Sequence, residues 1–166
     1  QLEAAGIRCI VPEFANSNVD IPSIPPEINR VFEQQDATVI FDIGGDDSGA
    51  VALGMFASRI AAAGYDMLYV VNQYRPLTQT AEDALHIMRE IECSSRLHCT
   101  GIVNNSNLGA DTDAHTLPLS RMYGKKLAEL SNLPVLFETT CTEIEPDILP
   151  VFHMEHVTKQ IYGGTL

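Results

Sequence analysis

The sequence predicts an α/β fold, a three-layer sandwich built on a mainly parallel sheet. Apolar, β-branched runs alternate with stretches of helical period, the pattern of βαβ units. The runs TVIF and MLYVV are strongly apolar, which fits strands buried on both faces. With 166 residues, 45% of them hydrophobic, the chain can bury one sizeable core, so a single domain over 1–166 is expected.

Taken in order, QLEAAG reads as the end of a helix stopped by Gly6. Ile7 to Val11 is the first expected strand. The Asn- and Pro-rich ANSNVDIPSIP that follows Phe14 has neither period and reads as a loop. A helix is expected from Pro26 to Gln35 and a strand from Thr38 to Asp42. Ser48 to Ala63 reads as a helix capped by Asp47 or Ser48; its sequence is apolar around nearly the whole circumference, so it is expected to be buried. Met67 to Asn72 is the next strand. Thr80 followed by Asp83 has the spacing of a capping box and opens a helix from Ala81 to Ile91, whose Glu82, Arg89 and Glu90 place it on the surface. Strands from Thr100 to Asn104 and from Pro134 to Glu138 flank a helix from Leu117 to Ser131. A last helix is expected from His153 to Tyr162.

The charge of −12 and pI of about 4.6 oppose binding to a phosphate backbone, and no run of Lys or Arg offsets them, so direct nucleic-acid binding is disfavoured. A small anion held by backbone amides and a metal remains compatible with that charge. The longest apolar stretch, Ala50 to Ala63, is interrupted by Ser58 and Arg59 and is too short to span a bilayer, so no transmembrane segment is expected. The 4 cysteines form no CxxC pair, which points to reduced thiols and a cytoplasmic location. His98 beside Cys99, and His153 with His156, read as surface or packing residues.

In an open parallel sheet, ligands gather at the carboxyl ends of the strands, where Asp42, Asn72 and Asn104 fall. Asp42 is a candidate Mg²⁺ ligand, direct or through water, while Gly44 and Gly45 let a phosphate approach the backbone. A strand end followed by a helix cap accounts for Asp46 and Asp47 equally well, but less well for the two glycines. Two rival motifs fail on single residues. A dinucleotide fingerprint needs Gly where Asp46 stands, and a phosphate loop ending at Gly124, Lys125 and Lys126 needs Gly where Leu119 stands. There is no GxSxG, HExxH or kinase signature, and no nucleophile is assigned.

TVIFDIGGDDSGA, MLYVVNQYRP, TGIVNN and LPVLFETTCTEIEPDIL, in that order, resemble the MinD/ParA group of P-loop ATPases, which also includes dethiobiotin synthetase and the nucleotide-dependent metal-insertion proteins. The first segment is similar to the Walker B strand and switch II glycines, and the third to the strand whose terminal Asn reads adenine. The resemblance implies a P-loop NTPase-like fold, with ATP and Mg²⁺ bound by the parent protein. Asp42 would then position metal and water, Gly44 and Gly45 would meet the phosphates with Gly45 sensing the γ-phosphate, and Asn104 would read the base. Glu138 to Thr140 depart from the family's Gly-x-Ile-Pro.

The Walker A loop, GxxxxGK[ST], does not occur in the sequence. The chain is therefore expected to be the later portion of a longer nucleotide-binding domain, missing the P-loop strand and inactive by itself. Thr38 to Asp42 is expected either to pair directly with Met67 to Asn72 or to be completed by another chain. Nucleotide, a second copy of the chain and an unidentified protein are the partners so implied. A non-catalytic α/β interaction module is the alternative from another class. A ligase of the dethiobiotin synthetase kind is a third, with FANSNVDIPSIPP near its substrate.

Overall fold

The structure is a computed structural model that describes residues 2–11, 25, 27–34, 36–44, 47–144 and 149–154. Among these residues the helices are α1 (Ile28–Val31), α2 (Asp47–Gly54), α3 (Ala57–Ala63), α4 (Ala81–Ser95) and α5 (Thr116–Ser131). The strands are β1 (Leu68–Val71), β2 (Gly101–Asn104), β3 (Val135–Thr140) and β4 (Val151–His153). The chain divides into two compact units: Gln1–Tyr65 with Glu90–Leu97, and Asp66–Arg89 with His98–Leu166.

The second unit holds a four-stranded, all-parallel sheet in the order β1-β2-β3-β4, flanked by helices. Parallel neighbours need a long crossover. Here α4 lies between β1 and β2 in the chain, α5 lies between β2 and β3, and α5 packs on both β2 and β3. Val71, Met88, Ile102, Leu117 and Leu127 supply the fully buried apolar core. The Tyr69 hydroxyl donates to Ala84 O at 3.0 Å, tying β1 to α4.

The register has one irregularity that matters below. Ile102 faces Val135, but the ladder slips between Ile102 and Val103, so that Asn104 faces Glu138. Without the extra residue Phe137 would stand there. Because side chains alternate across a strand, one inserted residue exchanges an aromatic ring for a carboxylate.

Several expected elements are corrected. Thr38–Asp42 and Ile7–Val11 form no ladder, and Ile40 is 87% exposed. Extended backbone is a strand only where a neighbouring strand takes its N–H and C=O groups, and among the described residues neither run has a ladder partner. The expected pairing of Thr38–Asp42 with Met67–Asn72 is therefore absent, and β1 has β2 as its sole ladder partner among the described residues. Nor is β1 buried on both faces. Tyr69 and Val71 are buried, but Leu68 and Val70 are 41% and 55% exposed.

The expected Ser48–Ala63 helix breaks into α2 and α3. Phe56 donates back to Leu53 O and Met55 to Ala52 O, a tightened last turn, and the Arg96 guanidinium caps the Gly54 carbonyl. Its outer face is also not buried: Ala50 and Leu53 are covered, whereas Val51 and Met55 are exposed. In the same unit Phe32 stacks on Phe41 and Phe56. Arg59 lies 4.3 Å above the Phe32 ring and bonds Asn29 Oδ1 at 2.6 Å, joining α1 to α3.

Other expectations stand as read. Gly6 adopts φ 79° and closes a 3₁₀ turn over Glu3–Ala5. Asp83 N–H bonds Thr80 Oγ1 at 3.1 Å, so Thr80 caps the start of α4, and its hydroxyl donates to Asp83 Oδ2 at 2.5 Å. Glu82, Arg89 and Glu90 are exposed. Lys125 and Lys126 lie on the exposed side of α5. His153 belongs to β4 rather than opening a helix, and the rest of that expected helix lies outside the described residues. No helix among the described residues is long and apolar enough to cross a membrane.

Candidate functional site at the strand ends

The carboxyl ends of β1, β2 and β3 carry a polar cluster within the second unit. Asn72 follows β1. Its Oδ1 accepts from Tyr74 N–H at 2.9 Å and Asn107 N–H at 3.3 Å, and its Nδ2 donates to Asn107 O at 3.0 Å. This side chain acts as a rung between the loops after β1 and β2. Ser106 makes a second link: it accepts from Gln73 N–H at 3.1 Å and donates to Asn104 Oδ1 at 2.7 Å.

Asn104 ends β2 with no exposed surface. Its Nδ2 donates to Ser120 Oγ of α5 at 3.0 Å and to Glu138 Oε1 of β3 at 3.3 Å. A carboxylate accepts only, so Glu138 fixes which end of the amide is NH₂. Ser106 donates to Oδ1 at 2.7 Å, while the Ser120 hydroxyl donates to Leu117 O at 2.8 Å. Both N–H groups of the Asn104 amide and its oxygen thus have partners inside the protein, and a ligand above the strand ends gains its donors only by displacing one of them. Glu138 is 1% exposed and takes a 2.8 Å bond from Arg121 Nε, which pairs the buried charge.

Asn105, the next residue, is half-buried. Its Oδ1 accepts from Thr139 Oγ1 at 2.6 Å. Asp113 organises the entry to α5, accepting from His115 N–H at 2.8 Å, Thr116 N–H at 2.9 Å and Thr116 Oγ1 at 3.0 Å. These bonds, the one from the His115 backbone first, hold its carboxyl below the usual carboxylate range. Tyr74 donates to Thr116 O at 2.8 Å, and burial, then the Asp113 charge, raises its phenol above the ordinary value. Burial pushes the phenol of Tyr123 up to about 12 and that of Tyr69 further still. Gln73 Oε1 is buried without a partner among the described residues.

Asp42 and Gly44 lie in the other unit, exposed and outside any strand. Gly45 and Asp46 lie outside the described residues. The approach to α2 is tight. A Cβ on Gly49 would stand 3.0 Å from Ile43 Cγ2 and 3.4 Å from both Gly44 N and O, so the loop doubles back on the first turn of the helix. Among the described residues no three His, Cys, Asp or Glu side chains gather as a metal site.

Of the three side chains expected at strand tips, the structure brings Asn72 and Asn104 into one bonded cluster and places Asp42 outside the sheet. Sequence reasoning passed over Asn105, Arg121 and Gly49, and marked Glu138 only as a departure from the Gly-x-Ile-Pro pattern. The doublet Asn104-Asn105 at a strand end was a usable signal, since alternation turns one of two neighbours inward and the other outward. The Arg121–Glu138 pair left no signal, because it depends on the register slip. Comparison with protein-family models, with curated proteins and with solved structures gives no match.

Proposed function

We propose that this chain is the later portion of a nucleotide-binding domain of the MinD/ParA kind, completed by an upstream phosphate loop and working as an ATPase or nucleotide-dependent switch. The observation that carries this reading is the outer edge of β1. Native edge strands are blunted by Lys, Pro, inward charges or bulges, but LYVV has none of these, and its outer edge is unpaired among the described residues. A sheet whose most apolar strand lies at an open edge fits one more parallel strand there. In the resemblance that place belongs to the strand leading into the phosphate loop, with the Thr38–Asp42 run beyond it. The polar cluster at the carboxyl ends of β1 to β3 supports the same side of the sheet as the ligand side.

On this reading Asp42 positions Mg²⁺ and water, Gly44 and Gly45 meet the phosphates, and the strand-end amides face the base. The chain's own part without the phosphate loop is to present the base side of the site. Most phosphate contacts, and with them most of the affinity, come from upstream.

The test is calorimetric titration of ATP with Mg²⁺ into this chain and into the full encoded protein. Binding by the longer protein alone, with the Mg²⁺-dependent part weakened in Asp42→Asn, is the expected result. Absence of binding by both refutes the proposal and leaves an α/β interaction module, in which Asp42 to Gly49 is a helix entry and nothing more.

A further inference from the structure

We propose that Asn105, not Asn104, is the amide at the end of β2 that meets a bound base, and that it offers hydrogen-bond donors only. The inference rests on the nucleotide-binding reading above and specifies which atom of the base is recognised.

The orientation of the Asn105 amide follows from a chain of bonds that starts at a backbone group. Gly109 N–H, which can only donate, bonds Asn107 Oδ1 at 3.2 Å. The other end of the Asn107 amide is therefore NH₂, and it donates to Asn105 O at 2.9 Å and to Asn105 Oδ1 at 3.4 Å. An NH₂ group facing Asn105 requires an oxygen there. The Thr139 hydroxyl completes the pair, donating to the same Oδ1 at 2.6 Å. Both lone pairs of Oδ1 are now used. The two N–H groups of Asn105 Nδ2 have no partner among the described residues, and the side chain is half-buried at the strand end.

Asn104 offers the opposite case, being fully buried with both its N–H groups taken and its oxygen bonded by Ser106. A ligand lying across the strand ends finds a spent amide below the surface and an amide with free donors beside it.

An asparagine with both ends free reads adenine through N6 and N7 together, accepting from the amine and donating to the ring nitrogen. Asn105 retains only the second half of that pattern. Guanine presents the same N7 acceptor, with O6, a second acceptor, in place of the amine. The predicted recognition is thus of purine N7, with little discrimination between adenine and guanine.

The experiment is a fluorescence titration of the full encoded protein with Mg²⁺ complexes of ATP, GTP and 7-deaza-ATP, which lacks the N7 acceptor. ATP and GTP are expected to bind within about threefold of each other and 7-deaza-ATP about five- to tenfold more weakly, the worth of one such bond. In Asn105→Ala the difference between ATP and 7-deaza-ATP should vanish. Should that variant not fold, the three wild-type affinities decide the matter by themselves. ATP more than about tenfold tighter than GTP, as a full two-ended amide contact requires, overturns the inference and leaves nucleotide binding intact. So does 7-deaza-ATP binding as well as ATP. Failure of all three ligands to bind overturns the nucleotide reading itself and this inference with it.

Discussion

In Arg121→Met the Glu138 carboxylate keeps its place between β2 and α5 but loses a 2.8 Å charge-assisted bond, leaving Asn104 Nδ2 at 3.3 Å as the partner the structure still provides. Removing one partner of a buried ion pair costs roughly 3–5 kcal/mol, because the remaining charge stays desolvated. The pair is asymmetric, however. Glu138 is 1% exposed and Arg121 22%, so water can follow the shortened side chain inward, and a loss nearer about 2–3 kcal/mol is expected. Replacing both residues by methionine removes the unpaired charge and leaves Asn104 short of one acceptor, a cost of about 1–2 kcal/mol. The double variant is therefore expected to be more stable than Arg121→Met alone. Urea unfolding of the wild type, both single variants and the double gives the coupling directly, provided the slopes agree. If the effects of the two single substitutions simply add, within about 0.5 kcal/mol, the pair is not an energetic unit and Arg121 does not hold Glu138 in the strand-end network.

Three further expectations concern parts of the fold that the proposed function does not need. A Cβ at Gly54 would lie 2.6 Å from the carbonyl oxygen of Ser94, a backbone atom, whereas at Gly101 it would meet only the partly exposed Leu136 side chain. Gly54→Ala should thus cost about 1–3 kcal/mol and Gly101→Ala under about 1 kcal/mol, compared by urea midpoints; equal losses would contradict the contact at Gly54. Gln73→Met removes the buried, unpartnered Oε1 and should be neutral or stabilise by about 1 kcal/mol, and a clear drop in melting temperature would show that this oxygen has a partner after all. Tyr123 has its phenol raised from 10.0 to about 12, so the folded state holds that proton more tightly than the unfolded chain. Its contribution is complete below about pH 10 and is lost as pH rises towards 12. Stability measured from pH 9 to 12 should fall less steeply in Tyr123→Phe than in the wild type, and parallel curves would rule the residue out.

The sequence was most informative between Met67 and Glu138. There each apolar run is short and bounded by polar residues, and those of β1 and β2 are followed by helices, the first with a start signal at Thr80 and Asp83, so local pattern and tertiary structure agree. It misled where the outcome depends on a distant partner. Thr38 to Asp42 has the composition of a strand, but composition supplies no neighbour to pair with, and strand propensity is largely a statement about neighbours. The break between α2 and α3 falls beside Gly54 within an apolar pattern, and the Arg96 guanidinium that bonds the Gly54 carbonyl comes 42 residues later in the chain. For the site, the polar residues at strand ends were legible, whereas the burial of Asn104 was not. Its partner Glu138 arrives through one extra residue in the ladder with β3, a feature no local window contains.

The order of the sheet also bears on how the protein is made. β1, β2, β3 and β4 lie side by side in the order in which they leave the ribosome, and each pairs with the strand synthesised just before it. Growth can proceed by addition at one side, each new strand finding a template already in place. Closing one crossover at a time keeps each entropic step small, since the loop to be closed is never longer than one connection. The β4 side is then the growing edge, while the LYVV edge forms first and stays unpaired among the described residues.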